Sequence, residues 1–317
     1  MIWSIILFII GFYVLIKGSD ILIDGSRSVA KVLKLSDWVV GVTIVGIGTS
    51  IPEFSIAFLS VLQGQSDIGL GAIVGSNTFN ILVILGLVAV IYPISVKVTW
   101  VRQDLVMNVL AVLSTGLIAV FPVLGGGFFE ISRPEGLLLL LLFLVWIVRT
   151  ALNNRSDRAG DVEKPDLRNY SLYLSFFMIL AGLVGVVFGA DWVISGAKNM
   201  ASWLGISETI VGLTIVAVGT SLPELAVSIR AAYRRNFGIS LGNIIGSSIF
   251  DFWGILGIVG LFSAIAVPKE LIFDISITVV SALLLLAMMF IGTKYVLQRW
   301  QGVVMIVAYA FYLFFMF

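Results

Sequence analysis

Apolar runs of about 20 residues recur along the whole chain, and each is long enough to cross roughly 30 Å of hydrocarbon as a helix. Ten such runs fall at roughly 2–23, 38–62, 68–91, 103–122, 136–152, 170–191, 209–232, 239–262, 271–291 and 300–316. Sixty per cent of the residues are hydrophobic and 12% are charged, against about 45–50% and about 25% in soluble domains. The pattern predicts an all-α polytopic membrane protein of ten transmembrane helices. A transmembrane barrel would instead show short alternating segments. The first run has no basic lead and no small-residue cleavage site, so it is expected to remain as a span.

The most polar stretch, 153–169, separates five runs from five. It is too short to fold alone and reads as a linker between a first repeat, 1–152, and a second, 170–317. Basic side chains mark the cytoplasmic side. Alternate loops hold Arg27, Lys31, Lys34, Lys97, Arg102, Arg149, Arg155, Arg158, Lys164, Arg168, Arg230, Arg234, Arg235, Lys294 and Arg299, whereas the opposite loops hold Arg133, Lys198 and Lys269. This asymmetry puts the linker inside the cell and both termini outside.

The halves align without a gap at an offset of 171. Gly41–Ala57 (GVTIVGIGTSIPEFSIA) and Gly212–Ser228 (GLTIVAVGTSLPELAVS) share nine of 17 residues. Ile68–Gly86 (IGLGAIVGSNTFNILVILG) and Ile239–Gly257 (ISLGNIIGSSIFDFWGILG) share ten of 19. Five spans per half is an odd number, so the second repeat starts on the opposite side of the membrane. Inverted repeats with interrupted helices at matching places are the plan of secondary transporters, with the substrate site near the midplane.

The interruptions are GTSIPE at 48–53 and GTSLPE at 219–224. Pro52 and Pro223 lack an N–H and crowd the carbonyl four residues back, which predicts broken helices 2 and 7. Carbonyls freed around Gly46 and Ala217 must face protein, water or an ion. Thr49, Ser50, Thr220 and Ser221 add hydroxyls, and Glu53 and Glu224 add carboxylates. The second motif pair is GSNTFN at 75–80 and GSSIFD at 246–251. Ser76 with Asn80, and Ser247 with Asp251, share helix faces. Gly71 with Gly75, and Gly242 with Gly246, are expected to permit close helix approach.

The chain contains no histidine and no cysteine. This excludes Ser–His catalysis, thiolate chemistry and imidazole or thiolate metal sites. The oxygen donors that remain suit hard cations. The expected site joins Glu53, Asn80, Glu224 and Asp251. Three ionised carboxylates balance three Na⁺, and with Asp251 protonated they balance one Ca²⁺. Exchanging one Ca²⁺ for three Na⁺ moves one net charge.

Both repeats resemble the alpha-repeats of the sodium/calcium exchanger family, within the cation/calcium exchanger superfamily. The resemblance covers nearly the whole chain, and its signature of GTS-[IL]-PE followed by GS-x-x-F-[ND] is present twice. It implies an antiporter moving Ca²⁺ out against inward Na⁺ by alternating access, with lipid and the two cations as partners and no organic cofactor. The family's central ligands fall on Glu53, Asn80, Glu224 and Asp251. Its flanking sodium ligands fall on Ser50, Ser76, Ser221 and Ser247, its threonines on Thr49 and Thr220, and its backbone-carbonyl ligands on Gly46 and Ala217. The chain is similar to minimal prokaryotic exchangers of the cell membrane, because the long regulatory loop of animal members is absent. Proton/calcium exchangers typically carry GNA where GTS stands here. Asp251 is shared with potassium-dependent exchangers, which usually carry Asp where Glu224 stands. Proton or potassium coupling on the same scaffold is the alternative. The chain is expected to be a monomer, with no protein partner specified.

Plainer roles compete for each residue. Buried carboxylates can be packing glue, but each costs about 2.5–3.5 kcal/mol at the bilayer centre. Asn80, Ser76 and Ser247 can pack helices together, and Thr49 and Thr220 can bond back to their own helix. Asp20 and Asp191 near span ends read as structural or ion-pathway residues. Arg230, Arg234 and Arg235 read as topology determinants. Gly125–Gly127 lacks the Lys-Ser/Thr of a phosphate loop. An intramembrane aspartyl protease needs a GxGD motif, which GSD at 18–20 and GAD at 189–191 do not supply. A passive channel is disfavoured because three carboxylates bind ions too tightly for fast release.

Overall fold

The computed structural model describes residues 2–121, 123–125, 127–153, 170–203 and 219–316. In order, its helices are α1 (Ile2–Leu33), α2 (Asp37–Thr49), α3 (Ile51–Leu62), α4 (Ser66–Ile91), α5 (Val98–Val120), α6 (Arg133–Asn153), α7 (Leu172–Trp203), α8 (Leu222–Tyr233), α9 (Phe237–Phe262), α10 (Leu271–Met288) and α11 (Arg299–Met316). Seven are individually long and apolar enough to cross a bilayer, and counting α2 with α3 as one interrupted span makes eight. Helix α11 is shorter but apolar. The span expected over 209–232 is described only from Gly219 onward, and the linker beyond Asn153 lies outside the described residues.

The side-chain distribution is that of a membrane protein. Large apolar groups face outward, including Trp3, Phe188 and Phe314 at 81%, 54% and 77% exposure. Carboxylates, amides and hydroxyls are inside, among them Glu53, Asn77, Asn80, Glu224 and Asp251. With hydrocarbon as solvent the exterior gains nothing from polar groups, while interior ones can pair or hold ions.

The chain forms two compact units, Met1–Thr49 with Asn154–Asn243, and Ser50–Asn153 with Ile244–Phe317. The first is built on α1 and α7. A Cβ added to Gly11 would strike the backbone at Gly189 and Val193, one on Gly18 would strike Gly185 and Val186, and one on Gly25 would meet Ser175 and Met178. As α1 advances α7 recedes, so the two helices are antiparallel. The small residues are seven apart, which keeps them on one face as the helices wind together. Backbones meet there at distances that side chains would forbid.

Helix α1 is 32 residues long, about 48 Å at 1.5 Å per residue. It runs ten residues past the expected end at 23. The reason is tertiary. Its polar C-terminal part is paired, with Asp20 accepting hydrogen bonds from Arg230 on α8 at 2.7 and 2.8 Å and Asp24 lying 2.8 Å from Arg234, the residue just after α8. The helix stops where Lys34 turns left-handed (φ 55) and Leu35 N–H bonds back to Ala30, a left-handed C-terminal cap. Helix α7 likewise extends to Trp203 rather than 191.

The second unit holds α3 to α6, most of α9, α10 and α11. Close backbone approaches join α4 to α11 at Gly86 and Gly302, and α6 to α9 at Gly136 and Gly260. Helix α4 ends before Pro93, because the residue preceding proline avoids helical geometry and Tyr92 is extended (φ −138, ψ 122). Four two-residue strands depart from the all-helical expectation. Strand β1 (Ile94–Ser95) pairs with β4 (Val296–Leu297), and β2 (Glu130–Ile131) with β3 (Ile265–Ala266), both antiparallel. Each satisfies loop backbone groups just beyond a helix end.

Candidate cation site

The break expected in the second span is present. Helix α2 stops at Thr49, Ser50 leaves helical geometry (φ −82, ψ 10), and α3 begins with Pro52 in its first turn. Ser221 matches it (φ −87, ψ 2), followed by α8 with Pro223 in its first turn. Both prolines therefore act as helix starters, where the missing N–H costs nothing. The carboxylates follow directly, so Glu53 and Glu224 occupy first turns, where the helix dipole favours negative charge. Both are buried, at 1% and 0% exposure.

In the first unit, Thr49 donates to Asn243 Oδ1 at 3.0 Å. Asn243 donates in turn to Ser228 Oγ at 3.0 Å and to the Glu224 carbonyl at 3.4 Å. Gly46 and Ser221 are buried, and Ser221 Oγ has no hydrogen-bond partner. Thr220 is half-buried in the turn before α8. Ala217 lies outside the described residues.

In the second unit, Ser50, Glu53, Ser76, Asn80, Ser247 and Asp251 are all buried. Ser76 and Ser247 donate to the carbonyls three residues back, Ile73 at 3.2 Å and Ile244 at 3.0 Å, leaving hydroxyl lone pairs as acceptors. Among the described residues, Asn80 Oδ1 and Asp251 Oδ1 have no hydrogen-bond partner. Helices α4 and α9 widen to π-helical turns at Asn80–Ile84 and Phe250–Ile255, so the matched pair Asn80 and Asp251 sits at matched π turns. Such turns concentrate at functional sites. Asp251 Oδ2 accepts a hydrogen bond from Asn77 at 2.8 Å.

Among the described residues, no three acidic side chains gather within either unit as a metal-binding group. The donors are instead mixed, with carboxylate and hydroxyl oxygens in GTSIPE, GTSLPE and GSSIFD and amide and hydroxyl oxygens in GSNTFN. Such a set suits Na⁺ and Ca²⁺.

Sequence reasoning missed Asn77 and Asn243. The available signal was repeat mismatch, since Asn77 aligns with Ser248 and Asn243 with Ala72. Asp20 is an ion-pair partner of Arg230, which gives that arginine a structural role beyond setting topology. Asp191 is exposed, and the residue aligned with Arg230 is Leu59. The glycine expectation holds at Gly242, where a Cβ would lie 3.0 Å from the Trp38 carbonyl. At Gly75 a Cβ would meet nothing within 4 Å among the described residues, and at Gly71 it would meet Leu271 at 3.8 Å; Thr209, Gly212 and Leu213, which align with the Trp38, Gly41 and Val42 that pack on Gly242, lie outside the described residues.

A set of helices that is apolar outside and buries carboxylate, amide and hydroxyl oxygens is the construction of a polytopic membrane transporter. The sodium/calcium exchanger protein profile matches residues 3–151 and 174–317. An uncharacterized membrane protein of Methanocaldococcus jannaschii is 36% identical over 305 residues, covering 95% of this chain and 94% of that one. The sodium/calcium exchanger MaX1 of Methanosarcina acetivorans is 31% identical, covering 98% and 97%. The solved sodium–calcium exchanger NCX_Mj superposes with a TM-score of 0.82 at 33% identity, over 98% of this chain and 97% of that one. The chain belongs to the sodium/calcium exchanger family and is a transporter, not an enzyme.

Proposed function

We propose that this protein exchanges Na⁺ for Ca²⁺ across a prokaryotic cell membrane by alternating access, with one net charge moved per cycle when three Na⁺ replace one Ca²⁺. Glu53, Asn80, Glu224 and Asp251 are the central ligands. Ser50, Ser76, Ser221, Ser247, Thr49, Thr220 and the carbonyls of Gly46 and Ala217 complete the Na⁺ and Ca²⁺ coordination. The observation that carries the reading is the burial of Glu53 and Glu224 one residue after matched prolines, in a chain of this family. Three carboxylates in the span interior would together cost about 8–10 kcal/mol, a cost that bound cations offset. The architecture proposed is ten spans in two inverted repeats of five, 1–152 and 170–317, with the 153–169 linker inside and both termini outside. The antiparallel course of α1 and α7, the first span of each repeat, supports the inversion.

The test is ⁴⁵Ca²⁺ flux in proteoliposomes under imposed Na⁺, K⁺ and pH gradients with clamped voltage. Flux that follows the Na⁺ gradient alone supports the proposal. Flux that ignores Na⁺ and follows the pH gradient replaces it with proton/calcium exchange, and a strict K⁺ requirement replaces it with potassium-dependent exchange.

A further inference from the structure

Asn77 has a fixed orientation that leaves one oxygen without a partner. Its Nδ2 group donates to the Ile73 carbonyl at 2.8 Å and to Asp251 Oδ2 at 2.8 Å. The Ile73 carbonyl can only accept, so the amide cannot be turned round without opposing two oxygens. Asn77 is 0% exposed, yet among the described residues its Oδ1 has no hydrogen-bond partner. The same is true of Asp251 Oδ1. Buried polar atoms are almost always partnered, so each exception requires an explanation. Here two orphaned oxygens belong to side chains joined by one hydrogen bond, and Asn80, three residues along the same helix, carries a third.

Asn243 provides the contrast. It is equally buried, but its oxygen accepts from Thr49 and its amide donates to Ser228. All its polar atoms are used, as a purely structural amide requires. Asn77 uses only its donors. An amide is also the right chemistry beside Asp251, because its N–H opposes the carboxylate oxygen whereas an acid there would repel it.

We propose that Asn77 is a further residue of the cation site. Its N–H holds Asp251 Oδ2 so that Oδ1 is presented to the ion, and its own Oδ1 is an additional neutral ligand. This rests on the exchanger reading above. Groups that orient metal ligands typically change affinity about 10–100-fold when removed.

The experiment measures KM for Ca²⁺ and for Na⁺ separately, together with the maximal rate, in proteoliposomes of the full chain carrying Asn77→Ala or Asn77→Ser. The alanine variant removes both the donor and the oxygen. The serine variant installs the residue that the other repeat carries at Ser248 and restores one donor and one oxygen. The expected result is a KM for Ca²⁺ raised about 10–100-fold in Asn77→Ala, with part of that recovered in Asn77→Ser. A KM for Ca²⁺ within about twofold of the unaltered chain, with any loss confined to the maximal rate, overturns the proposal, since a packing residue lowers the amount of working protein and not its affinity. If the alanine variant does not fold, Asn77→Ser is judged by the same criterion. Glu53→Gln is the parallel control. If it transports normally the exchanger site itself is misassigned, an outcome distinct from failure at Asn77.

Discussion

Replacing Gly182 by alanine should loosen the first unit measurably. A Cβ on Gly182 would sit 2.6 Å from Leu22 N, 2.7 Å from its Cα and 2.8 Å from its Cβ. Ordinary contact begins near 3.4 Å, so α1 and α7 must separate by most of an ångström. All three obstructing atoms are backbone or its first carbon, and no rotamer change relieves them. Overpacking of this kind costs about 1–3 kcal/mol, here toward the upper end. Alanine returns about 1 kcal/mol through its better helix propensity. The net loss is about 2 kcal/mol, which lowers Tm by roughly 3 °C for a chain of 317 residues. Thermal unfolding of purified protein in detergent measures it. Gly71→Ala is the matched control, because among the described residues its Cβ would meet only Leu271 at 3.8 Å. A Gly182→Ala protein that melts at or above the unaltered one, or below which Gly71→Ala melts, refutes the close-packed seam.

Two further expectations concern single contacts. The Asp20–Arg230 pair is bidentate but partly exposed, with side chains 21% and 35% accessible. A double-mutant cycle on Asp20→Ala and Arg230→Ala should give a coupling of about 1 kcal/mol, at the top of the range for such pairs. Screening at high salt should shrink it, and a salt-independent value contradicts the assignment. Glu135 is buried and accepts from Ser132 N, Ser132 Oγ and Val123 N at 2.8, 2.7 and 2.8 Å. Glu135→Ala strands those donors and should cost about 2 kcal/mol in unfolding experiments, as loss of a strong helix cap does. An unchanged Tm would show that water replaces the carboxylate.

Legibility in the sequence varied with the range of the interaction. The apolar spans that the structure describes and the break at Ser50 were readable because apolar length and the Pro52 ring act locally. Ser132-Arg133-Pro134-Glu135 also carries a capping-box spacing before an apolar run. The full length of α1 was not readable. Its charged last third resembles a loop until Asp20 meets Arg230, 210 residues away. The repeat alignment pointed to Asn80 and Asp251 but not to their π turns, which no local residue announces. It also hid Asn77 and Asn243, whose significance lies in partners from other helices. Helix-face spacing put Gly71 and Gly75 on one side of α4 without saying what lies opposite, and among the described residues Leu271 is what a Cβ on Gly71 would meet.

The central claim is that the matched buried carboxylates carry Na⁺ and Ca²⁺ in exchange. It is tested most directly by Ca²⁺ uptake into Na⁺-loaded proteoliposomes bearing Glu53→Gln or Glu224→Gln. Each substitution keeps shape and oxygen while removing the charge. The account predicts that uptake is abolished in both variants while the protein remains folded; near-normal uptake in either one would contradict it.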